Sequence, residues 1–338
     1  MEYVTLANGI EMPVLGYGVY QIPKEETEAC VLNALQTGYR SIDTAQAYGN
    51  EEEVGSAIIK SGIPRQEIFL TSKVWISDYG YDACRASVLR SLEKLQTDYI
   101  DLMLLHQPFN DTYGAWRALE DLYDEGKLRA IGVSNFYPDR LIDFCAFNRI
   151  KPMVNQVEAH LLFQQSEAKA FMDKYGVVME AWAPLAQANK ELLEEPLLLA
   201  IGEKYRKTPA QLALRWNIDR GVVVIPKTTS PERMAENFDV LDFKLSEGEM
   251  VSLEALDKKK SLFLSHTDPD TVEMFITAAK PAEKEPISIE SPVDESIEPT
   301  APVEPGVPAE PIDPAPEEAP AAEEPAPAEP TETDLPAE

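Results

Sequence analysis

The amino-acid sequence predicts an α/β protein whose first 280 residues form a closed (β/α)8 TIM barrel with an N-terminal β-hairpin cap. Three observations point there. Eight short, apolar, β-branched runs alternate with longer stretches of helical spacing, the pattern of strands buried on both faces and paired in parallel. The first run carries LGYGVYQ instead of a GxGxxG turn, which favours a barrel over an open, doubly wound sheet. After Lys280 the composition shifts abruptly to Pro, Glu, Ala, Val and Thr, with Lys284 the only basic residue.

The chain opens on VTLANGIEMPV, where Asn8-Gly9 separates two apolar runs, a hairpin signal. Strands are then expected near residues 14–20, 40–45, 68–75, 99–106, 128–135, 152–158, 177–183 and 222–227. Amphipathic segments lie between them, such as EETEACVLNALQTG, which closes on Gly38, and DACRASVLRSLEKLQ. A further helical pair is expected over 191–219, its second member opening with Thr208 as cap and Pro209 in the first turn. Residues 281–338 hold too little apolar material to offset the entropy of ordering their backbone. They are expected to be a disordered, partly polyproline-II tail, suited to a spacer, a solubilising brush or a docking segment.

The formal net charge of −29 includes 17 acidic residues against one lysine in that tail, and the barrel part remains acidic. Such a balance argues against nucleic acid or an anionic membrane as partner. The three cysteines, widely spaced and without a CxxC pair, suit a reduced cytoplasmic protein. The N-terminus lacks a basic stretch followed by an apolar one, so no signal peptide is expected, and no apolar run approaches membrane-spanning length.

In a barrel of this kind chemistry gathers where strands run into their helices. Those positions hold Asp43 with Tyr48 just beyond it, Lys73, His106, Ser134 with Asn135, Asn155 with Gln156, Trp182 and Lys227. Lys73, charged within the apolar run IFLTSKVW, is the most telling, because a buried ammonium requires a partner and Asp43 is at hand. A free tyrosine titrates at about 10. A nearby ammonium would stabilise its phenolate and lower that value, so that Tyr48 could protonate a carbonyl oxygen as hydride reaches the carbon. His106, as a neutral imidazole, could donate a hydrogen bond to the same oxygen. Taken singly, Tyr48 reads as a loop aromatic, Asp43 as a cap and His106 as a core histidine. Their joint occurrence with Lys73 at successive strand ends is hard to ascribe to packing. His160 and His266 read as structural, and three histidines without paired spacing give no metal site.

The segments SIDTAQAYGNEEEVG, KVW, DLMLLHQP, AIGVSNF and IPKTTSPERMAENFDVLDFKLS resemble the aldo-keto reductases, over roughly residues 3–276. Among these the chain is most similar to short-loop microbial members that resemble 2,5-diketo-D-gluconate reductase. The resemblance implies the (β/α)8 barrel, NADPH-dependent reduction of aldehydes, ketones or α-dicarbonyls to alcohols, and a monomer. It implies a catalytic tetrad of Asp43, Tyr48, Lys73 and His106. It assigns Ser134, Asn135 and Gln156 to the nicotinamide carboxamide and Trp182 to the nicotinamide ring. Lys227, Thr228 and Arg233 fall to the 2′-phosphate, and Glu236 and Asn237 to the adenine. Two cations and hydroxyls on a strand-to-helix loop agree with a phosphate dianion. Tyr20, Trp75 and Gln107 are implied as pocket walls. The region after LSEGEMVSLEAL is too short for the long C-terminal loop of animal members, so a more open site is expected. The alternative reading within the superfamily is a cofactor-binding regulatory subunit with a partner-docking tail, against which the retained tetrad speaks. A barrel hydrolase lacks a second acid at a strand end.

Overall fold

The structure, a computed structural model, describes residues 1–279. The tail expected over 281–338 lies outside the described residues. Tyr3–Thr5 (β1) and Glu11–Pro13 (β2) pair antiparallel, with Val4 opposite Met12. Eight strands then form one parallel sheet in chain order: Tyr17–Gly18 (β3), Ser41–Asp43 (β4), Phe69–Val74 (β5), Ile100–Leu105 (β6), Leu128–Ser134 (β7), Val154–Glu158 (β8), Val178–Trp182 (β9) and Val223–Val224 (β10). A parallel bridge between Leu15 and Val224 joins the last strand to the first. There the Gly16 amide donates to Val224 O at 2.8 Å and the Val224 amide to Val14 O at 2.9 Å. The barrel is closed.

Helices Lys24–Thr37 (α1), Glu51–Ser61 (α2), Tyr81–Leu95 (α3), Thr112–Asp124 (α4), Pro138–Phe147 (α5) and Ser166–Tyr175 (α6) connect the successive strands up to β9. Lys190–Leu193 (α7), Pro196–Tyr205 (α8) and Pro209–Asp219 (α9) lead to β10, and Pro231–Phe238 (α10), Glu247–Glu254 (α11) and Pro269–Ala279 (α12) follow it. As expected, Gly38 ends α1, at φ 122°, where an L side chain would be strained. The pair expected over 191–219 is three helices, because Pro196 begins a new one beneath the Glu195 side-chain cap. Thr208 and Gln211 form a reciprocal capping box at the start of α9.

The expected hairpin plugs the barrel at the N-terminal ends of its strands. Leu6 and Met12 pack there on the inward-facing Phe69, Leu102, Ala130, Val154 and Val223, and Asn8 Nδ2 donates to Arg129 O at 2.9 Å. The first and last strands are shorter than expected. Pro226 has no amide to continue the ladder, and the backbone of Gly18 lies so close that a Cβ there would sit 3.1 Å from Ile225 O. Among the described residues no helix is long and apolar enough to cross a membrane.

The outer ring packs as tightly. A Cβ added at Gly55 on α2 would stand 2.6 Å from both the carbonyl carbon and oxygen of Leu95, at the end of α3. Backbone cannot yield as a flexible side chain can. Gly55→Ala is therefore expected to destabilise the fold by about 1–3 kcal/mol, despite the better helix propensity of Ala, as measured by a lower midpoint in chemical denaturation.

Candidate active site

Asp43 ends β4, and the chain turns through a short 3-10 segment, Gln46–Tyr48, before α2 begins. This turn is held by the Tyr48 amide donating to Ala45 O at 3.0 Å and by the Trp75 amide donating to Gln46 Oε1 at 3.1 Å. It places Tyr48 beside Lys73 of β5. Lys73 is fully buried, and its Nζ donates to Asp43 Oδ1 at 2.5 Å, to Thr44 O at 2.9 Å and to the Tyr48 hydroxyl at 3.3 Å. Three acceptors use all three ammonium donors, which is what makes this burial tolerable. Burial pulls the Lys73 pKa down, but Asp43 and Tyr48 outweigh it and hold the ammonium above its ordinary value. Lys73 therefore stays charged.

Tyr48 departs from expectation. Burial raises its phenol to about 12, more than Lys73 lowers it. Part of its ring is accessible, but the hydroxyl lies against the fully buried Lys73 Nζ, where the desolvation of a phenolate is severe. Lys73 thus offsets burial without overcoming it, and Tyr48 stands as a protonated donor. His106 follows β6, its ring edge-on to Tyr48 at 5.7 Å and to Trp75 at 5.1 Å. Burial first, then Lys73 and His266, push its pKa well below the ordinary value, so the imidazole is neutral.

These residues open onto a cleft of about 930 Å3, whose walls include the site residues expected from the sequence except Asn155 and Lys73, the latter lying behind them. Asn135, just past β7, takes a left-handed φ of 64°, which Asn tolerates better than most residues. Its Nδ2 donates to His106 O, Gln107 Oε1 and Ser134 Oγ, and its Oδ1 accepts from Trp182 Nε1 at 2.9 Å. Asn135 thereby fixes the tilt of the Trp182 ring. Gln107 is tied into the same network, whereas Tyr20 packs on Tyr48 at 4.9 Å. Gln156 donates through Nε2 to Asp43 Oδ2 at 2.8 Å. Asn155 points away from the cleft, donating to Phe136 O.

The far end of the cleft is formed by the loop after β10 and by α10, where Lys227, Thr228, Arg233, Glu236 and Asn237 converge. Ser230 caps α10 by accepting from the Arg233 amide. Two buried phenols brace this loop from beneath, Tyr17 donating to Thr228 O at 2.5 Å and Tyr39 to Met234 O at 3.2 Å. Lys227 and Arg233 are exposed, and among the described residues neither has a carboxylate partner. Two free cations, hydroxyls and a helix N-terminus fit the phosphates of a dinucleotide.

Three features escaped the sequence reading. Glu180, in the middle of β9, is fully buried beside Asp43, and its Oε2 accepts from Gln156 Nε2 at 2.9 Å. Burial, then the Asp43 charge, raises its carboxyl to about 8. The segment from Ser261 to α12 crosses the barrel mouth, so the site is less open than expected. It is anchored on buried Glu158, which accepts from Ser261 Oγ at 2.5 Å and the Leu262 amide at 2.9 Å. His160 is structural as expected, bonded to Glu158 and to the Phe163 amide. His266 is more than structural: it lines the cleft, its ring near-parallel to those of Phe109 and Phe275 in a three-ring cluster with centroids 5.7–6.0 Å apart. Phe263 meets Trp182 at 5.5 Å. The readable signal was the aromatic content of SLFLSHTDPDTVEMF, but nothing local says where it docks.

Fold and cleft together define the class, a (β/α)8 barrel whose cleft lies at the C-terminal ends of its strands. Residues 13–258 match the model of the Aldo/keto reductase family. The chain is 48% identical over 260 residues to glyoxal reductase of Bacillus subtilis, covering 76% of this chain and 93% of that protein. It is 43% identical over 273 residues to methylglyoxal reductase DkgA of Escherichia coli, covering 79% and 96%. An aldo-keto reductase from a Medee basin deep-sea metagenome library superposes with a TM-score of 0.77 at 44% identity, covering 78% of this chain and 98% of that one. The chain belongs to the aldo/keto reductase family. It is an oxidoreductase of carbonyl compounds, and nothing in these likenesses supports the regulatory-subunit alternative.

Two predictions follow from the buried carboxyls. Glu158→Ala should release the segment over the mouth, seen as faster proteolytic cleavage within residues 260–279 while the barrel stays intact. For Glu180, the folded chain keeps a proton that the unfolded chain releases between about pH 4.5 and 8. This group's contribution to stability is full below 4.5 and is lost as pH rises through 8. Wild type should therefore lose melting temperature relative to Glu180→Gln across that window; parallel curves would refute a buried neutral acid.

Proposed function

We propose that this chain reduces small aldehydes, ketones and α-dicarbonyls to alcohols with NADPH, Tyr48 donating the proton. Supporting the reading above all is the contact of the Tyr48 hydroxyl with a buried ammonium that Asp43 keeps charged. A bound nicotinamide dinucleotide supplies the hydride. This chain's own residues do the rest. Tyr48 transfers its hydroxyl proton to the carbonyl oxygen as that oxygen gains negative charge, and Lys73 stabilises the phenolate left behind until solvent reprotonates it. The neutral imidazole of His106 has a single N–H to offer, enough to orient the carbonyl without competing as an acid. The aromatic walls Tyr20, Trp75 and Phe275 exclude water around the reacting oxygen.

Trp182, Ser134, Asn135 and Gln156 form the nicotinamide end of the site, and Lys227, Thr228, Arg233, Glu236 and Asn237 the adenosine end. NADPH is favoured over NADH because Lys227 and Arg233 line the cleft as cations that have no carboxylate partner among the described residues. Among carbonyl compounds, α-oxoaldehydes come first, since relatives similar over most of the barrel are named for glyoxal and methylglyoxal. A catalytic barrel over 1–280, a monomeric state and a cytoplasmic location complete the reading.

Tyr48→Phe is expected to lower kcat for glyoxal, methylglyoxal and simple aldehydes by about 10²–10⁴-fold with little change in KM. Unchanged turnover would remove Tyr48 as the proton donor. Arg233→Ala should cut the NADPH-over-NADH ratio of kcat/KM by about 10–100-fold, the worth of a charge-assisted hydrogen bond, and leave NADH kinetics nearly untouched. An unaltered ratio would place the 2′-phosphate elsewhere.

A further inference from the structure

We propose that Glu180 is a positioning residue for the nicotinamide end of the cofactor: with Asp43 it holds the amide nitrogen of Gln156, so that the Gln156 carbonyl oxygen faces the cleft. The proposal rests on the dinucleotide reading above and deepens it. Gln156 and Glu180 lie opposite each other in the β8–β9 register, both directed into the barrel. The two hydrogens on Gln156 Nε2 have two acceptors, Asp43 Oδ2 at 2.8 Å and Glu180 Oε2 at 2.9 Å. An amide turned the other way would set its oxygen against the ionised Asp43 Oδ2, so Asp43 sets the orientation and Glu180 accepts the second hydrogen. Among the described residues no donor meets Gln156 Oε1. The acceptor this leaves at the cleft wall is complementary to the NH2 of a carboxamide.

With Asp43 alone, the clamp would be a single hydrogen bond about which the amide can swing, since its terminal torsion is broad. Glu180 adds the second point. It does so as a neutral acid. Among the described residues its buried Oε1 has no hydrogen-bond partner, which costs a carboxylate far more than a neutral acid. The charged groups facing it, Asp43 from β4 and Lys73 from β5, already neutralise one another. A second anion would compete with Tyr48 for the Lys73 charge, whereas a neutral acceptor holds Gln156 and leaves that balance alone. Glutamine should therefore replace Glu180, and leucine should not.

The test measures the affinity of the full chain for NADPH and for 2′,5′-ADP, which carries the phosphate end without the nicotinamide, by quenching of tryptophan fluorescence. Glu180→Leu is expected to weaken NADPH about tenfold, the order of one hydrogen bond, and to leave 2′,5′-ADP unchanged, while Glu180→Gln binds both as wild type does. Should the leucine variant not fold, Glu180→Thr removes the acceptor with a smaller side chain and carries the same expectation. Equal NADPH affinity in wild type and Glu180→Leu overturns the proposal. So does an equal loss for both ligands, which marks a merely structural role, and so does a glutamine variant as weak as leucine. Wild type that binds 2′,5′-ADP and neither dinucleotide would instead strike the reading beneath it.

Discussion

The ion pair between Lys73 and Asp43 is the constraint from which the rest of the site follows. An ammonium sealed inside a barrel would cost several kcal/mol if left alone, and the loss would fall on the whole fold. The sequence meets that demand with Asp43 on the adjacent strand, the Thr44 carbonyl beyond it and the Tyr48 hydroxyl after one short turn. Each partner is then committed to a place. Asp43 has one carboxyl oxygen left over, which accepts from Gln156, and Gln156 in turn reaches Glu180. A chain of single hydrogen bonds runs from Tyr48 on one side of the barrel to Glu180 on the other.

Much of this was legible beforehand, and for a definite reason. A lysine inside IFLTSKVW violates the composition of a buried strand so openly that a partner had to exist. Asp43 and His106 stood at neighbouring strand ends once the alternation of strands and helices was recognised. Glu180 broke the same rule inside VVMEAWA, but a single acid in a short apolar run can also face outward, and only the register shows that it points in. The phenol of Tyr48 was misjudged because sequence shows the cation nearby and not the depth of burial, which here is the larger effect. His266 and Phe275 were out of reach altogether. Their positions depend on a tertiary return over the mouth that leaves no periodic trace.

The cleft divides its labour along its length. One end is charged and built on backbone and hydroxyl donors at a helix start, and it is held from below by the phenols of Tyr17 and Tyr39. The other end is aromatic, with Tyr20, Trp75, Phe109 and Phe275 surrounding two neutral imidazoles. Between them lies the protonated Tyr48. Binding energy from the charged end is available to align the reacting groups without altering the shape of the aromatic one.

Glu158 holds the roof of the aromatic end in place. The carboxyl belongs to the barrel, whereas what it grips arrives from the end of the described chain, far in sequence from Asp43, Tyr48, Lys73 and His106. A single acid of the barrel thus moors the stretch that carries His266 and Phe275 over the cleft. A change in that stretch would reshape one wall of the cleft while Tyr20, Trp75 and Gln107 hold the others in place.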